Sequence, residues 1–164
     1  MTYRSDEALS AGRSSWWIPV FIVVSFLPAI IGSQFMPDDW FRSLNKPSFN
    51  PPGWVFAPVW TVLYALMGLS SWLFWRKASG LRLKTGLGLF TVQLALNAAW
   101  TWLFFGLHQP AWALVDICVL WVLIVATGVV FLSRSMVAGA LLLPYLLWVS
   151  FATALNYAFM LLNP

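Results

Sequence analysis

SMVAGALLLPYLLWVSFATALNYAFMLLNP, residues 135–164, runs for 30 positions without a charged side chain. A helix needs about 20 apolar residues to cross roughly 30 Å of hydrocarbon, so this stretch alone decides for a membrane-spanning helix, expected over 137–162. The rest of the chain repeats the pattern. Between Arg13 and Asp38 lie 24 uncharged residues, which give a helix over 16–35 in spite of Pro19 and Pro28, tolerated as kinks in a membrane helix. Between Lys46 and Arg76 lie 29; the first few read as loop, leaving a second helix over 52–75 with Pro52 in its first turn, where no N–H is needed. The 31 residues between Lys84 and Asp116 are broken by the turn cluster Gly106, His108, Gln109 and Pro110, which separates a third helix over 83–105 from a fourth over 111–132. The expectation is an all-α membrane protein, a single five-transmembrane-helix domain over 1–164, with one long loop at 36–51.

Composition supports this reading. Of 164 residues, 61% are hydrophobic and 14 are charged, too little polar surface for a water-soluble globule and hence for a soluble enzyme. A single Cys and a single His exclude a disulfide framework and a His- or Cys-rich metal cluster. The net charge of +4 sits mainly in loops rather than on one basic face, which argues against nucleic acid as a partner. Assigning loops alternately to the two sides puts seven Lys and Arg with the N-terminus and two, Arg42 and Lys46, on the other side. The positive-inside rule then places the N-terminus in the cytoplasm and loop 36–51 outside, as in a bacterial inner membrane. The first segment is too long for a signal peptide and lacks a small-x-small site, so it is read as a retained helix.

Twelve Trp call for more than core filling. Trp16, Trp17, Trp54, Trp72, Trp75 and Trp112 fall at helix ends, where an interfacial belt accounts for them. Trp60, Trp100, Trp121 and Trp148 lie inside helices, where an indole N–H needs a partner or a polar cavity. At about 1.5 Å per residue, Trp60 and Asn97 lie roughly 12 and 13 Å below the outer face, and Trp148 roughly 20 Å below it. Gln93, Asn97 and Trp100 share a face, as do Tyr145, Trp148, Ala152 and then Asn156, while Phe56, Trp60 and Tyr64 recur at i+4. Buried amides cost free energy unless paired and should point inward. Two readings follow: hydrogen bonds between helices, or a mostly apolar cavity with a few fixed polar groups, the usual form of a small-ligand site.

Asp116 is the only acid inside a span, which makes it a candidate for function. It also stands near the start of the fourth helix, where a negative charge is favoured for structural reasons. His108 reads as a solvated turn residue. No Ser/His/Asp, Cys/His or paired-carboxylate set can be assembled within the membrane.

The stretch Pro37-Asp38-Asp39-Trp40-Phe41-Arg42-Ser43-Leu44-Asn45-Lys46-Pro47-Ser48-Phe49-Asn50-Pro51-Pro52, with Trp54-Val55-Phe56 and Val59-Trp60-Thr61-Val62-Leu63-Tyr64 after it, resembles the signature of the translocator protein family. That family is also called TspO/MBR, tryptophan-rich sensory protein or peripheral-type benzodiazepine receptor. Gln93 to Gly106, Pro144 to Trp148 and Ala152 to Tyr157 extend the resemblance over nearly everything after residue 15. It implies a membrane receptor or carrier that binds protoporphyrin IX, haem and other flat hydrophobic ligands under the first loop, at positions matching Phe41, Trp60, Asn97, Trp100, Trp148, Ala152 and Leu155. No resident cofactor or metal is implied; the porphyrin or haem enters as ligand. Some bacterial relatives promote light-dependent porphyrin breakdown, with the positions of Trp60 and Trp148 implicated. A small secondary transporter using Asp116 is the alternative from another class. Two departures stand out: Tyr157 has no Lys or Arg within five residues, so the sterol motif is incomplete, and Phe41 replaces a frequent Tyr. Family members are often dimers, for which the small residues Gly88, Thr91, Ala95 and Ala99 offer a close-packing strip, with tight packing inside the monomer as the other use.

Overall fold

The computed structural model describes residues 14–164; Arg4 and Arg13, counted above, lie outside the described residues. Five helices are long and apolar enough to cross a membrane: α1 (Ser15–Gly32), α3 (Gly53–Lys77), α4 (Gly80–Gly106), α5 (Pro110–Leu132) and α6 (Met136–Leu162). A short helix, α2 (Asp39–Ser43), interrupts the loop between α1 and α3. No strand occurs among the described residues.

The spans close into a ring. α1 packs on α3 with its first half and on α4 with its second, α4 packs on α5, α5 on α6, and α6 returns to α3. Inside, Phe74 and Phe131 stack at 4.1 Å, with Met67 and Ile124 among the buried side chains of the same cluster. α3 meets α1 closely at Gly68, where a Cβ would stand 2.6 Å from the Ile22 backbone, so only glycine fits there. Buried hydroxyls are satisfied locally: Ser25 donates to Phe21 O at 2.8 Å and Thr127 to Leu123 O at 2.6 Å. Ser70 instead bridges helices, donating to Ala138 O at 2.6 Å.

Several boundaries differ from the sequence expectation. α1 ends at Gly32 rather than Phe35 and breaks at Phe26, two residues before Pro28, which has no N–H to donate to the carbonyl of the preceding turn and whose ring crowds it. Pro19 makes no kink because it occupies the first turn of its segment. α4 begins at Gly80, not Leu83: Gly80 takes φ +58°, so Ala78 and Ser79 suffice for the turn and Arg82 and Lys84 become helical. α4 finishes in a π-helical turn, Trp102–Gly106, and α6 is interrupted at Leu141 and Leu142 just ahead of Pro144.

Candidate functional site

α2 is the roof of the site. Asp38 caps it, accepting the Phe41 N–H at 3.1 Å, and its other carboxylate oxygen meets His108 Nε2 at 3.0 Å. The donated Phe41 amide, with the His108 contact adding to it, holds the Asp38 carboxyl below its ordinary range. His108 is thus not a free turn residue. It stacks on Trp40 at 4.3 Å and adopts φ +55°, a left-handed conformation that costs roughly 1–2 kcal/mol for an L-residue and is held here by those two partners. The far end of the loop is fastened to the end of α6: Asn45 N donates to Asn163 Oδ1 at 2.8 Å and Asn163 Nδ2 donates back to Asn45 O at 3.1 Å.

Beneath α2 lies a small apolar cavity of about 50 Å³, lined by Phe41, Asn50, Phe56, Trp100, Phe104, Phe105, Ala152, Leu155, Asn156 and Phe159. Phe41 points down into it, its ring 5.2 Å from Phe105 and 5.6 Å from Phe159. Trp100 stacks on Phe104 at 5.1 Å and donates its indole N–H to Asn156 Oδ1 at 3.0 Å; Asn156 in turn donates to Pro110 O at 2.9 Å. Small-ligand pockets hold about 300 Å³ or more, so the hollow expected from the sequence is, in this state, filled by phenyl rings.

Deeper in the bundle a second cluster adjoins the first through Trp100. Tyr64 donates to Asn97 Oδ1 at 2.7 Å, Asn97 Nδ2 donates to the Tyr145 hydroxyl at 3.2 Å, and Trp60 lies over Tyr64 at 5.2 Å. Of the seven sequence candidates, therefore, Phe41, Trp100, Ala152 and Leu155 line the cavity, and Trp60 and Asn97 belong to the deeper cluster. Trp148 borders the cavity through Phe56, 5.8 Å away.

Phe56 and Asn156 stand on faces that the helical spacing marks, although they are not among the seven candidates. Phe104, Phe105 and Phe159 carried no such signal. Adjacent residues on an α-helix diverge by about 100°, so a shared site for Phe104 and Phe105, both in the π-turn that ends α4, is not something helical spacing announces. Asn50 comes from the loop, whose path periodicity does not encode.

Among the other residues singled out, Trp121 donates to Ser150 Oγ at 2.8 Å on the rim of the bundle. Trp72 departs from the belt expectation: it is buried, donates to Ser14 O at 3.4 Å and is covered by the Arg76 guanidinium at 4.9 Å. Asp116 is half-buried, and its Oδ2 has no hydrogen-bond partner. It lies beyond the first turn of α5, where helix-dipole stabilisation has faded. No group of three metal-ligating side chains occurs among the described residues.

Comparison with known proteins gives a family. The model of the TspO/MBR family matches residues 17–162. The human translocator protein is 43% identical over 148 residues, covering 86% of this chain and 88% of its own. The tryptophan-rich protein TspO of Chlorobaculum tepidum is 45% identical over 140 residues, 81% of this chain and 87% of its own. The tryptophan-rich sensory protein of Cereibacter sphaeroides is 41% identical over 143 residues, 87% and 89% respectively. With five apolar spans, a matched family model and relatives of this closeness, the chain is a multi-pass membrane protein that belongs to the TspO/MBR family.

Proposed function

We propose that the protein is a receptor or carrier for flat, mostly apolar molecules, tetrapyrroles such as protoporphyrin IX or haem foremost, taken up beneath α2 and serving porphyrin handling or stress regulation. The observation that carries this reading is the aromatic cavity with Asn156 at its wall and Phe41 as a removable plug, closed by non-covalent contacts alone. The names of two relatives, translocator and sensory protein, fit such a role. Because the cavity is far smaller than a tetrapyrrole, uptake requires α2 and the Phe41 ring to move outward, the ordinary behaviour of a loop lid. A dark titration with protoporphyrin IX, followed by Trp fluorescence, tests the site. Saturable quenching is expected, reduced in Trp100→Phe and in the double variant Trp60→Phe, Trp148→Phe. Equal quenching in all three proteins ends the proposal.

Two other activities rest on narrower observations. The unpartnered Asp116 Oδ2 favours proton-coupled transport, in which case Asp116→Asn abolishes uptake into vesicles. Light-dependent porphyrin breakdown rests on the indoles of Trp60 and Trp148 and requires new absorption bands that arise only under illumination.

We further place the N-terminus in the cytoplasm of a bacterial inner membrane, on the basic-residue asymmetry. A homodimer through α4 is proposed because Gly88, Thr91 and Ala95 are exposed rather than packed within the monomer, and a Cβ at Gly88 meets nothing within 4 Å. Gly88→Leu should shift the detergent-solubilised protein to monomer in native mass spectrometry.

A further inference from the structure

At the opposite end of the bundle from α2, an open groove of about 300 Å³ runs between α4 and α5, lined by Leu81, Arg82, Thr85, Val129, Val130 and Ser133. It joins one guanidinium and two hydroxyls to apolar walls. Arg82 makes no ion pair; the ion pairs among the described residues are both in the α2 region. Among the described residues, the charge around the groove has one sign. Arg76, Lys77, Arg82, Lys84 and Arg134 lie at this end, and no acidic residue among the described ones does: Asp38 and Asp39 belong to the opposite loop and Asp116 to the outer part of α5.

We propose that this groove binds one anionic glycerophospholipid, its phosphate held by Arg82 with the Thr85 and Ser133 hydroxyls beside it and an acyl chain laid along the α4–α5 seam. Position supports the split. Arg82 is two residues into α4, at headgroup depth, whereas Val92 and Val122 stand seven residues deeper than Thr85 and Val129 and are exposed on the same faces. Seven residues are about 10 Å of helix, enough to guide the first half of an acyl chain. A free phosphate would gain nothing from the Leu81, Val129 and Val130 walls. A zwitterionic lipid offers the same phosphate but adds a cationic group that the basic neighbours of Arg82 repel, whereas an anionic headgroup gains about 1 kcal/mol from each basic residue near it.

The test uses the full chain, delipidated in a neutral detergent, with phosphatidylglycerol, phosphatidylcholine of the same acyl chains, and glycerol phosphate as probes. Native mass spectrometry and Trp-detected thermal unfolding are read together. The expected result is one retained phosphatidylglycerol per chain and a rise in Tm at roughly fivefold lower concentration than phosphatidylcholine requires, the equivalent of the one charge contact. Arg82→Gln should erase that preference, Arg82→Lys should keep most of it, and Lys77→Gln should leave it unchanged. Arg82 is exposed and unpaired, so these variants are expected to fold. Equal response to the two lipids, an unchanged preference in Arg82→Gln, or full stabilisation by glycerol phosphate alone would each overturn the proposal. So would a second copy of the chain occupying the seam in place of lipid.

Discussion

At the scale of single residues the informative pair is Asn97 and Gln93, one turn apart on α4 and both buried. Asn97 links two tyrosine hydroxyls from α3 and α6, whereas neither amide atom of Gln93 has a hydrogen-bond partner. A buried polar group without a partner costs about 1–3 kcal/mol, and a satisfied one removed from its partners strands them at a similar cost. Asn97→Leu should therefore lower Tm by several degrees, while Gln93→Leu should leave Tm unchanged or raise it; thermal unfolding in detergent distinguishes the two. Spacing showed that both amides face inward and left open whether they bond or line a cavity. The choice depends on the rotation of α4 against helices far away in sequence, which no local pattern contains. Asn97 and Asn156 turn out to be bonded, and Asn156 also lines the cavity.

At the scale of the element, α2 is held down by contacts of different kinds, and each gives a separate handle. Phe41→Ala removes the plug and should enlarge the cavity, speeding ligand association in stopped-flow quenching several-fold while leaving the helices intact. The Asp38 carboxyl titrates below its ordinary value in the folded loop. Its contribution is accordingly complete above the unfolded carboxyl range and disappears as pH falls through the lowered folded value, below about pH 4. Trp40 emission should change in that acid window in the wild type, and His108→Ala should show the released emission already at neutral pH. The spans were legible from charge-free lengths, with the turn cluster at residues 106–110 needed to separate α4 from α5, whose Asp116 interrupts its charge-free run. Their ends were less so: Gly80 shortened one turn, Pro28 broke one helix, and the π-turn of α4 altered which phenyl rings share a side. α2 leaves no mark on the pattern of loop 36–51, since five residues are too few for periodicity to register.

For the whole molecule, the bundle closes around two connected aromatic clusters rather than around a ready-made chamber. Packing closes any space that nothing fills, so composition could announce an aromatic interior without giving its free volume. A ligand that binds only the folded state at 100 times its Kd should stabilise that state by about 2.7 kcal/mol, measurable as a higher Tm with protoporphyrin IX in the dark. Under the proposed function, one feature of the roof bears on the route of entry. The reciprocal bonds between the Asn45 backbone and the Asn163 side-chain amide tie the loop to the end of α6, whereas the Asp38 end is held through an imidazole and a stacked indole. The first fastening is neutral and indifferent to acidity; the second is not. The cover is therefore built like a flap with an acid-insensitive hinge on one margin and an acid-releasable buckle on the other, and on the proposed function traffic should pass on the buckle side, between Trp40 and the turn that carries His108.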